Sequence, residues 1–277
     1  MKETSKVEKI IVYTVLIIVS LICVFPVYWM VRTAVVSSGN IFSPDLKLFP
    51  PEVILDNFKN AMTALPFSTY FLNSLFVTIA NVIGVLLTSS MCAYGFSRVD
   101  WPGRDKVFGI MMTALMLPLA VLMIPHFIGW SFLGLTDTFA PITIPAFFGG
   151  GLFNIFLLRQ FFLGIPKAID EAAYIDGASH FRIFWSIILP LSKQPLIVVG
   201  LLTFLSNWNS YLEPMIYISS EEKFTLMLGL NQFMGGYNAQ WNLMMAAVTI
   251  IVIPSLVLYL FAQKHLIEGI ATTGIKG

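Results

Sequence analysis

The residues from Ile165 to Pro195 read IPKAIDEAAYIDGASHFRIFWSIILPLSKQP. This stretch is polar and rich in helix-breaking residues, yet long apolar segments precede and follow it. A polar connection between two membrane-length apolar segments must lie at a membrane face. The stretch therefore predicts a loop at the end of a helical bundle, where another molecule can contact the chain.

The same stretch contains the start and stop signals of two short helices. Pro166 suits the first turn of a helix, and Ile169, Ala172 and Ala173 are expected to share one side of it. Gly177 then allows a sharp bend. A second amphipathic helix is expected to follow the bend and to end at Leu189 and Pro190, because apolar residues recur there at i, i+3, i+4 and i+7: Phe181, Phe184, Trp185 and Ile188.

The composition is that of a membrane protein. Of the 277 residues, 57% are hydrophobic and 11% are charged, whereas soluble domains carry about 25% charged residues. The formal net charge of +1 argues against a nucleic-acid partner, which needs a clustered basic excess. The two cysteines both lie in apolar segments and are interpreted as packing residues.

Intervals without charged residues locate the membrane spans, because a charge at the centre of a transmembrane helix costs roughly 2.5 to 3.5 kcal/mol. They predict an all-α, polytopic protein with a single transmembrane domain over residues 1–277. Its six spans are placed at about 10–32, 70–97, 107–132, 139–159, 194–212 and 243–263, with the loop of residues 165–195 between the fourth and fifth.

Lysine and arginine are distributed unequally between the two sides of these spans. The side that holds both termini and the 165–195 loop carries most of them, and the other side holds only Arg32, Lys47, Lys59 and Lys223. Cytoplasmic loops are enriched in these residues. Both termini and the loop are therefore predicted to be cytoplasmic.

No motif for catalysis or nucleotide binding occurs in the sequence. It has no G-x-x-x-x-G-K-[ST] phosphate loop, no H-E-x-x-H, no paired C-x-x-C and no G-x-S-x-G. No metal site and no bound cofactor are predicted. His126, inside the third span, is a functional candidate because ionisable groups at membrane depth are costly, although a hydrogen-bonded structural histidine is the more ordinary interpretation.

The 165–195 loop resembles the EAA loop of ABC importer permeases. The resemblance rests on three pieces in order: Glu171-Ala172-Ala173, Asp176-Gly177-Ala178 and Leu189-Pro190. In that family the loop forms a coupling helix that sits in a cleft of the ATPase subunit. The resemblance thus implies a type I ABC importer permease fold and a coupling role for Glu171, Ala172, Ala173, Asp176, Gly177, Ala178 and Pro190.

Further matches extend this resemblance to the G-type subunit of maltose-like carbohydrate importers. They cover most of the chain from about residue 57 onward and include Ala93-Tyr94-Gly95-Phe96-Ser97-Arg98, Gly134-Leu135-Thr136-Asp137-Thr138 and Asn207-Trp208-Asn209. The resemblance implies import of sugars or related solutes through a prokaryotic cell membrane. It also implies four kinds of partner: an F-type permease in a heterodimer, two copies of a cytoplasmic ABC ATPase that uses ATP and Mg²⁺, an extracytoplasmic solute-binding protein, and membrane lipid.

Three further sets of residues are candidates for contacts. The tail is similar to the G-type ending that reaches between the two ATPase subunits, through Gly274, Ile275, Lys276 and Gly277. Asn154, Asn207 and Asn209 could hydrogen-bond a sugar or equally bond helix to helix. Trp208 could stack on a sugar ring or equally mark the aromatic belt. The long outward loop offers a tip that could meet the binding protein or anchor the bundle, formed by Gly235, Gly236, Tyr237, Asn238 and Trp241.

A self-contained channel or ion-coupled secondary transporter is the alternative function. Such a transporter needs intramembrane charged residues for coupling. The central parts of the predicted spans contain no Asp, Glu, Lys or Arg. The sequence therefore favours the permease subunit of an importer whose ATPase activity belongs to a separate subunit.

Overall fold

The computed structural model describes residues 6–43, 47–235 and 239–274, with the side chains of all but Leu119 and residues 265–274. These ranges contain no strand. The α-helices are α1 (Lys6–Ala34), α2 (Asp56–Ala64), α3 (Phe67–Ser97), α4 (Arg104–Thr113), α5 (Leu119–Phe132), α6 (Ala140–Thr143), α7 (Leu152–Gly164), α8 (Ala168–Ile175), α9 (His180–Ile183), α10 (Leu189–Leu191), α11 (Lys193–Trp208), α12 (Leu212–Tyr217), α13 (Leu226–Leu230) and α14 (Trp241–Gly274). Short 3₁₀ turns and one π turn, Phe184–Ile188, join some of them.

Four helical stretches in the described ranges are long and apolar enough to cross a membrane: Lys6–Ala34, Phe67–Ser97, Ala140–Gly164 and Trp241–Lys264. Two more arise if each sharply bent pair is one span, namely Arg104–Met116 with Ala120–Phe132 and His180–Leu191 with Lys193–Trp208. The all-α, multi-pass fold predicted from the sequence is thereby confirmed. The bounds of the individual spans and of the single domain stay predictions.

The third predicted span is not a straight helix. α4 and α5 meet at a bend of 101°, and Leu117 between them has an extended backbone. Pro118 explains the break, because proline disfavours helical geometry in the residue before it and has no N–H to continue the ladder. The sequence marks Pro118 as a kink but predicts one span for the segment.

The chain divides into two compact units. The first contains the described residues within Met1–Phe67 and Gly229–Ile253. Its α1 exposes apolar side chains along nearly its whole length, as expected of a helix that lies in lipid. Asn57 organises the rest of this unit: its Nδ2 donates to the carbonyls of Ala34 and Val36, and its Oδ1 accepts from Asn242.

The second unit contains residues 68–228 and the described residues from Pro254 onward. Its main hydrophobic core is built on α7, whose Ile155, Leu158 and Phe162 are fully buried. Residues of α3, α8, α9 and α11 pack on the same core, including Tyr94 and Val199. The loop predicted to couple the chain to a partner is therefore attached to the rigid centre of this unit.

Gly150 shows how closely the fourth span approaches α3. Its φ is +66°, and a Cβ at this position would lie 2.7 Å from the carbonyl oxygen of Val85. Only glycine satisfies both the left-handed backbone and this contact. The close approach lets Asn81 and Thr88 of α3 donate to the carbonyls of Ile142 and Ala146.

Candidate coupling site

Arg98, at the end of α3, fastens α8 to the core. Its Nε lies 2.8 Å from Oδ2 of Asp170, an ion pair without the alignment of a hydrogen bond, and both side chains are at least nine-tenths buried. The guanidinium also donates to the carbonyls of Phe162, Ile165 and Pro166 at 3.2, 2.8 and 3.2 Å. One side chain thus holds the end of α7, the connecting turn and α8 together.

This ion pair corrects the face that the sequence assigned to α8. Ile169, Ala172 and Ala173 were expected on one side, but the buried residues of α8 are Asp170 and Ala173, and Ala172 is exposed. The apolar pattern does not predict this buried face, because a charged residue such as Asp170 is expected to lie in solvent. Burial of the carboxylate is tolerated only because Arg98 lies against it.

The corner after α8 has the form predicted for Gly177. Its φ is +77°. Its N–H donates to the carbonyl of Tyr174, and the N–H of Ala178 donates to that of Ala173. This pair of bonds is the Schellman termination, in which a left-handed residue closes the last helical turn. A Cβ at Gly177 would have nothing within 4 Å, so the backbone conformation alone requires glycine here.

An aromatic cluster joins the far side of the corner to α3. The Nδ1 of His180, the first residue of α9, lies 2.6 Å from the hydroxyl of Tyr174 and 3.5 Å from that of Tyr94. The ring of Tyr94 also packs on Phe184 with centroids 5.3 Å apart. This cluster therefore links α8 and α9 to α3, in addition to the contacts of Arg98.

The second helix predicted for the loop is present from His180 to Leu191, but it is not a regular α-helix. It is interrupted by the π turn, where Leu189 N–H reaches the carbonyl of Phe184, and Pro190 beyond it has no N–H to give to the carbonyl four residues earlier. Its buried residues are Ile183, Phe184 and Ile188. Phe181 and Trp185, expected on the buried side, are 66% and 43% exposed. The π turn interrupts the regular repeat, so the i, i+3, i+4, i+7 pattern does not describe the buried face of this segment.

These exposures define a coupling face, which consists of Ile175, Phe181 and Trp185. Ile175, beside the corner, is 87% exposed. The same loop also exposes four charged residues: Lys167, Glu171, Asp176 and Arg182. An apolar patch on a loop that also exposes charges is typical of a protein-binding surface, since lipid would not accommodate the charges.

The predicted coupling residues fall into two groups in the structure. Ala173 is buried and Ala178 is partly buried, so these two support the loop from within. The others lie on the exposed side, where a partner can touch them: Glu171, Ala172, Asp176, Gly177 and Pro190. Their roles stay predictions. The sequence analysis did not predict the ion pair between Arg98 and Asp170. It named Arg98 only as the last residue of a segment that resembles the family.

A second polar cluster lies at the opposite end of α3. Asp137, in the turn before α6, has φ +56°. Its carboxylate pairs with Lys223 Nζ at 2.8 Å and accepts from the hydroxyl and N–H of Ser220 and from the N–H of Ser219. The bond from Lys223, followed by those from Ser220 and Ser219, holds the pKa of Asp137 well below its usual range. This cluster ties the turn before α6 to the loop after α12.

We expect Asp137→Asn to lower the thermal unfolding midpoint of the purified protein at neutral pH by several degrees. The folded pKa lies below the unfolded value of about 3.9, so the carboxylate stabilises the fold above that pH, and this contribution is lost as pH falls through the folded pKa. The gap between wild type and variant should therefore narrow as the scan is repeated from pH 7 down to pH 3. Glu52→Gln, at an exposed carboxylate, is the control. A constant gap across the range would contradict the assignment.

The candidate sugar-path residues are occupied by contacts within the helices. Asn154, Asn207 and Asn209 donate to the carbonyls four residues earlier, those of Gly150, Thr203 and Leu205. Trp208 is 1% exposed, stacked on Phe204 and edge-on to Phe71. The ring of Trp208 is therefore covered in this conformation, and a role of these four residues in a sugar path stays a prediction.

The candidate binding-protein loop and the C-terminal tail lie partly outside the described residues. Gly236, Tyr237 and Asn238 belong to the undescribed part of the outward loop, whereas Gly235 is exposed and Trp241 begins α14, with its ring 6.2 Å from that of Phe42. Ile275, Lys276 and Gly277 also lie outside the described residues. α14 continues to Gly274, well past the end predicted near residue 263.

Comparisons with known proteins agree with this architecture. Residues 81–272 match the family described as "Binding-protein-dependent transport system inner membrane component". The chain is 32% identical over 262 residues to the arabinooligosaccharides transport system permease protein AraQ of Halalkalibacterium halodurans, covering 94% of this chain and 93% of that protein. It is 33% identical over 270 residues to the probable starch degradation products transport system permease protein AmyC of Thermoanaerobacterium thermosulfurigenes, covering 98% of each.

A solved structure is similar over nearly the whole chain. It is the crystal structure of a bacterial ABC transporter involved in the import of the acidic polysaccharide alginate, and one of its chains aligns with a TM-score of 0.82 at 26% identity. The alignment covers 95% of this chain and 99% of that one.

Proposed function

This chain belongs to the family of binding-protein-dependent transport system inner membrane components, and from that premise we propose that it imports oligosaccharides under the action of a separate ATPase. It is a multi-pass ABC importer permease of the inner membrane. The comparisons favour this function over a self-contained channel or an ion-coupled transporter. Sugar cargo is supported by the two relatives named for oligosaccharides and starch products.

The observation that carries the proposal is the coupling face. Ile175, Phe181 and Trp185 are apolar and exposed, on a loop that also exposes charged residues and is held to the core by Arg98 and Asp170. A cleft in an ATPase subunit would bury these three side chains, while Glu171 offers a fixed charge for pairing at the rim. Because the chain has no phosphate-binding loop of its own, ATP and Mg²⁺ belong to that partner.

The remaining partners follow from the same family. We place both termini and the coupling face in the cytoplasm, beside two ATPase copies, and pair the chain with an F-type permease. The outward loop around Gly235 and Trp241 would meet the solute-binding protein. The tail from Gly274 to Gly277 would reach the ATPase pair, and the length of α14 supports this by carrying the chain well beyond the membrane-length part of the helix.

Placing a charge on the coupling face tests the proposal. In the importer assembled in vesicles, Ile175→Asp should lower ATP-driven uptake about tenfold or more, because a carboxylate would be buried unpaired in the ATPase cleft. Glu171→Ala should lower uptake less, since only a rim charge is lost. Val53→Asp, at an exposed valine of the other side, is the control. Wild-type uptake by Ile175→Asp would reject the coupling face.

A further inference from the structure

The second unit contains a pocket that is separate from the coupling face and from the candidate sugar-path residues. It has a volume of about 310 Å³ and lies between α5, α6 and α12, at the end of α11 that is opposite the coupling loop. Small-molecule pockets span about 300 to 1,000 Å³, so this one suits a single ring-sized group. In the proposed orientation it opens toward the side from which cargo arrives.

Four side chains with polar atoms line this pocket: His126, Trp130, Glu213 and Tyr217. Within the described part of the chain, the Glu213 carboxylate, the His126 imidazole and the Trp130 indole N–H make no hydrogen bond. Pro141 and Pro145 form an apolar wall beside them. The pocket therefore combines unused hydrogen-bonding groups with flat apolar surfaces.

Contacts outside the pocket hold the α12 part of its wall in position. The N–H of Asp137 donates to the carbonyl of Tyr217 at 2.7 Å, which ties the end of α12 to the Asp137 and Lys223 cluster. The ring of Tyr217 stacks on that of Phe127, with centroids 6.2 Å apart and planes 24° from parallel. A site held in this way loses little conformational entropy when it binds.

The chemistry of these groups fits a sugar ring. A carboxylate accepts hydrogen bonds from neighbouring hydroxyl groups, an imidazole can donate or accept one, and the indole N–H donates one. The C–H surface of a sugar ring is apolar and can lie against aromatic and proline side chains. A sugar that carries its own carboxylate would be repelled by Glu213, because like charges in a confined site cost free energy.

We propose that this pocket binds one neutral sugar unit of the cargo and selects against uronic acids, with Glu213 as the residue that makes the distinction. The inference rests on the proposed function and assigns to this chain a direct contact with cargo. It also separates this chain from the importer of acidic alginate to which it is structurally similar.

The test uses the complete importer in vesicles, with its binding protein supplied outside. Uptake is measured for three probes: arabinotriose, maltotriose and trimannuronate. We expect wild type to import at least one neutral trisaccharide about tenfold faster than trimannuronate. Glu213→Gln should raise the KM for that sugar about tenfold, the effect of weakening a charge-assisted hydrogen bond, and should narrow the preference over trimannuronate.

Two further variants make the result specific. Trp130→Leu should also raise the KM, because the flat apolar surface is lost. Glu52→Gln removes an exposed carboxylate elsewhere and should match wild type. Assembly of the importer should be unchanged in all three variants, which excludes misfolding as the cause.

The outcomes separate the two proposals. If wild type imports a neutral trisaccharide but Glu213→Gln behaves like Glu52→Gln, the pocket has no role in cargo selection and only the further inference fails. If wild type imports none of the three probes, both the sugar cargo and the pocket assignment are overturned.

Discussion

Arg98→Ala is expected to abolish ATP-driven uptake while the protein still inserts into the membrane. The substitution leaves the Asp170 carboxylate buried without its partner and removes the donors to the carbonyls of Phe162, Ile165 and Pro166. Breaking a buried ion pair by removing one partner costs about 3 to 5 kcal/mol. That loss falls on the attachment of α8, so the coupling loop should separate from the core.

Hydrogen exchange over residues 165–178, measured beside uptake, should show the expected local opening. Arg98→Lys should rescue uptake only in part, because an ammonium keeps the charge but cannot present the fork that reaches the three carbonyls. Asp100→Asn is the matched control, since Asp100 is the 79% exposed partner of the surface pair with Arg104, and such pairs contribute about 0 to 1 kcal/mol. Normal exchange and uptake in Arg98→Ala would show that α8 does not depend on this residue.

Gly177→Val is expected to lower uptake strongly without preventing assembly of the permease. Left-handed backbone costs a non-glycine residue roughly 1 to 2 kcal/mol, and it is an outlier for a β-branched side chain. No atom lies within 4 Å of the new Cβ, so the strain falls on the corner between α8 and α9 and not on the core. The corner should relax and move Ile175 relative to Phe181.

A graded series of variants separates backbone strain from loss of a small side chain. Gly177→Asn should stay close to wild type, because asparagine tolerates the left-handed region. Gly177→Ala should be intermediate. Gly164→Ala, at the end of α7, has neither a positive φ nor a close neighbour and should have no effect. Equal uptake by the asparagine and valine variants would show that the corner is not what the glycine provides.

The sequence predicts the helix, the corner and the second helix of the 165–195 loop because these depend on local chemistry. Gly177 is an example: its left-handed conformation and the Schellman bonds around it involve only neighbouring residues. The all-α, multi-pass fold is predictable for a similar reason, since apolar length and the lack of charge are properties of the chain itself.

What the sequence does not predict depends on partners far along the chain. Asp170 is buried because Arg98 lies against it, and periodicity within α8 contains no information about α3. Phe181 and Trp185 follow the helical repeat, but a π turn interrupts that repeat and both side chains are exposed. Trp208 looks like a sugar platform by type, yet Phe71 and Phe204 cover it.

ATP-driven uptake in vesicles is the measurement that tests coupling to a separate ATPase most directly. Vesicles are prepared with this chain and its permease partner, either with or without the ATPase, and loaded with ATP and Mg²⁺ or with an ion gradient alone. We predict uptake of a neutral trisaccharide only when the ATPase, ATP and the external binding protein are all present, and its loss in Ile175→Asp. Uptake by the permease pair alone, driven by the ion gradient without an ATPase, would contradict this coupling.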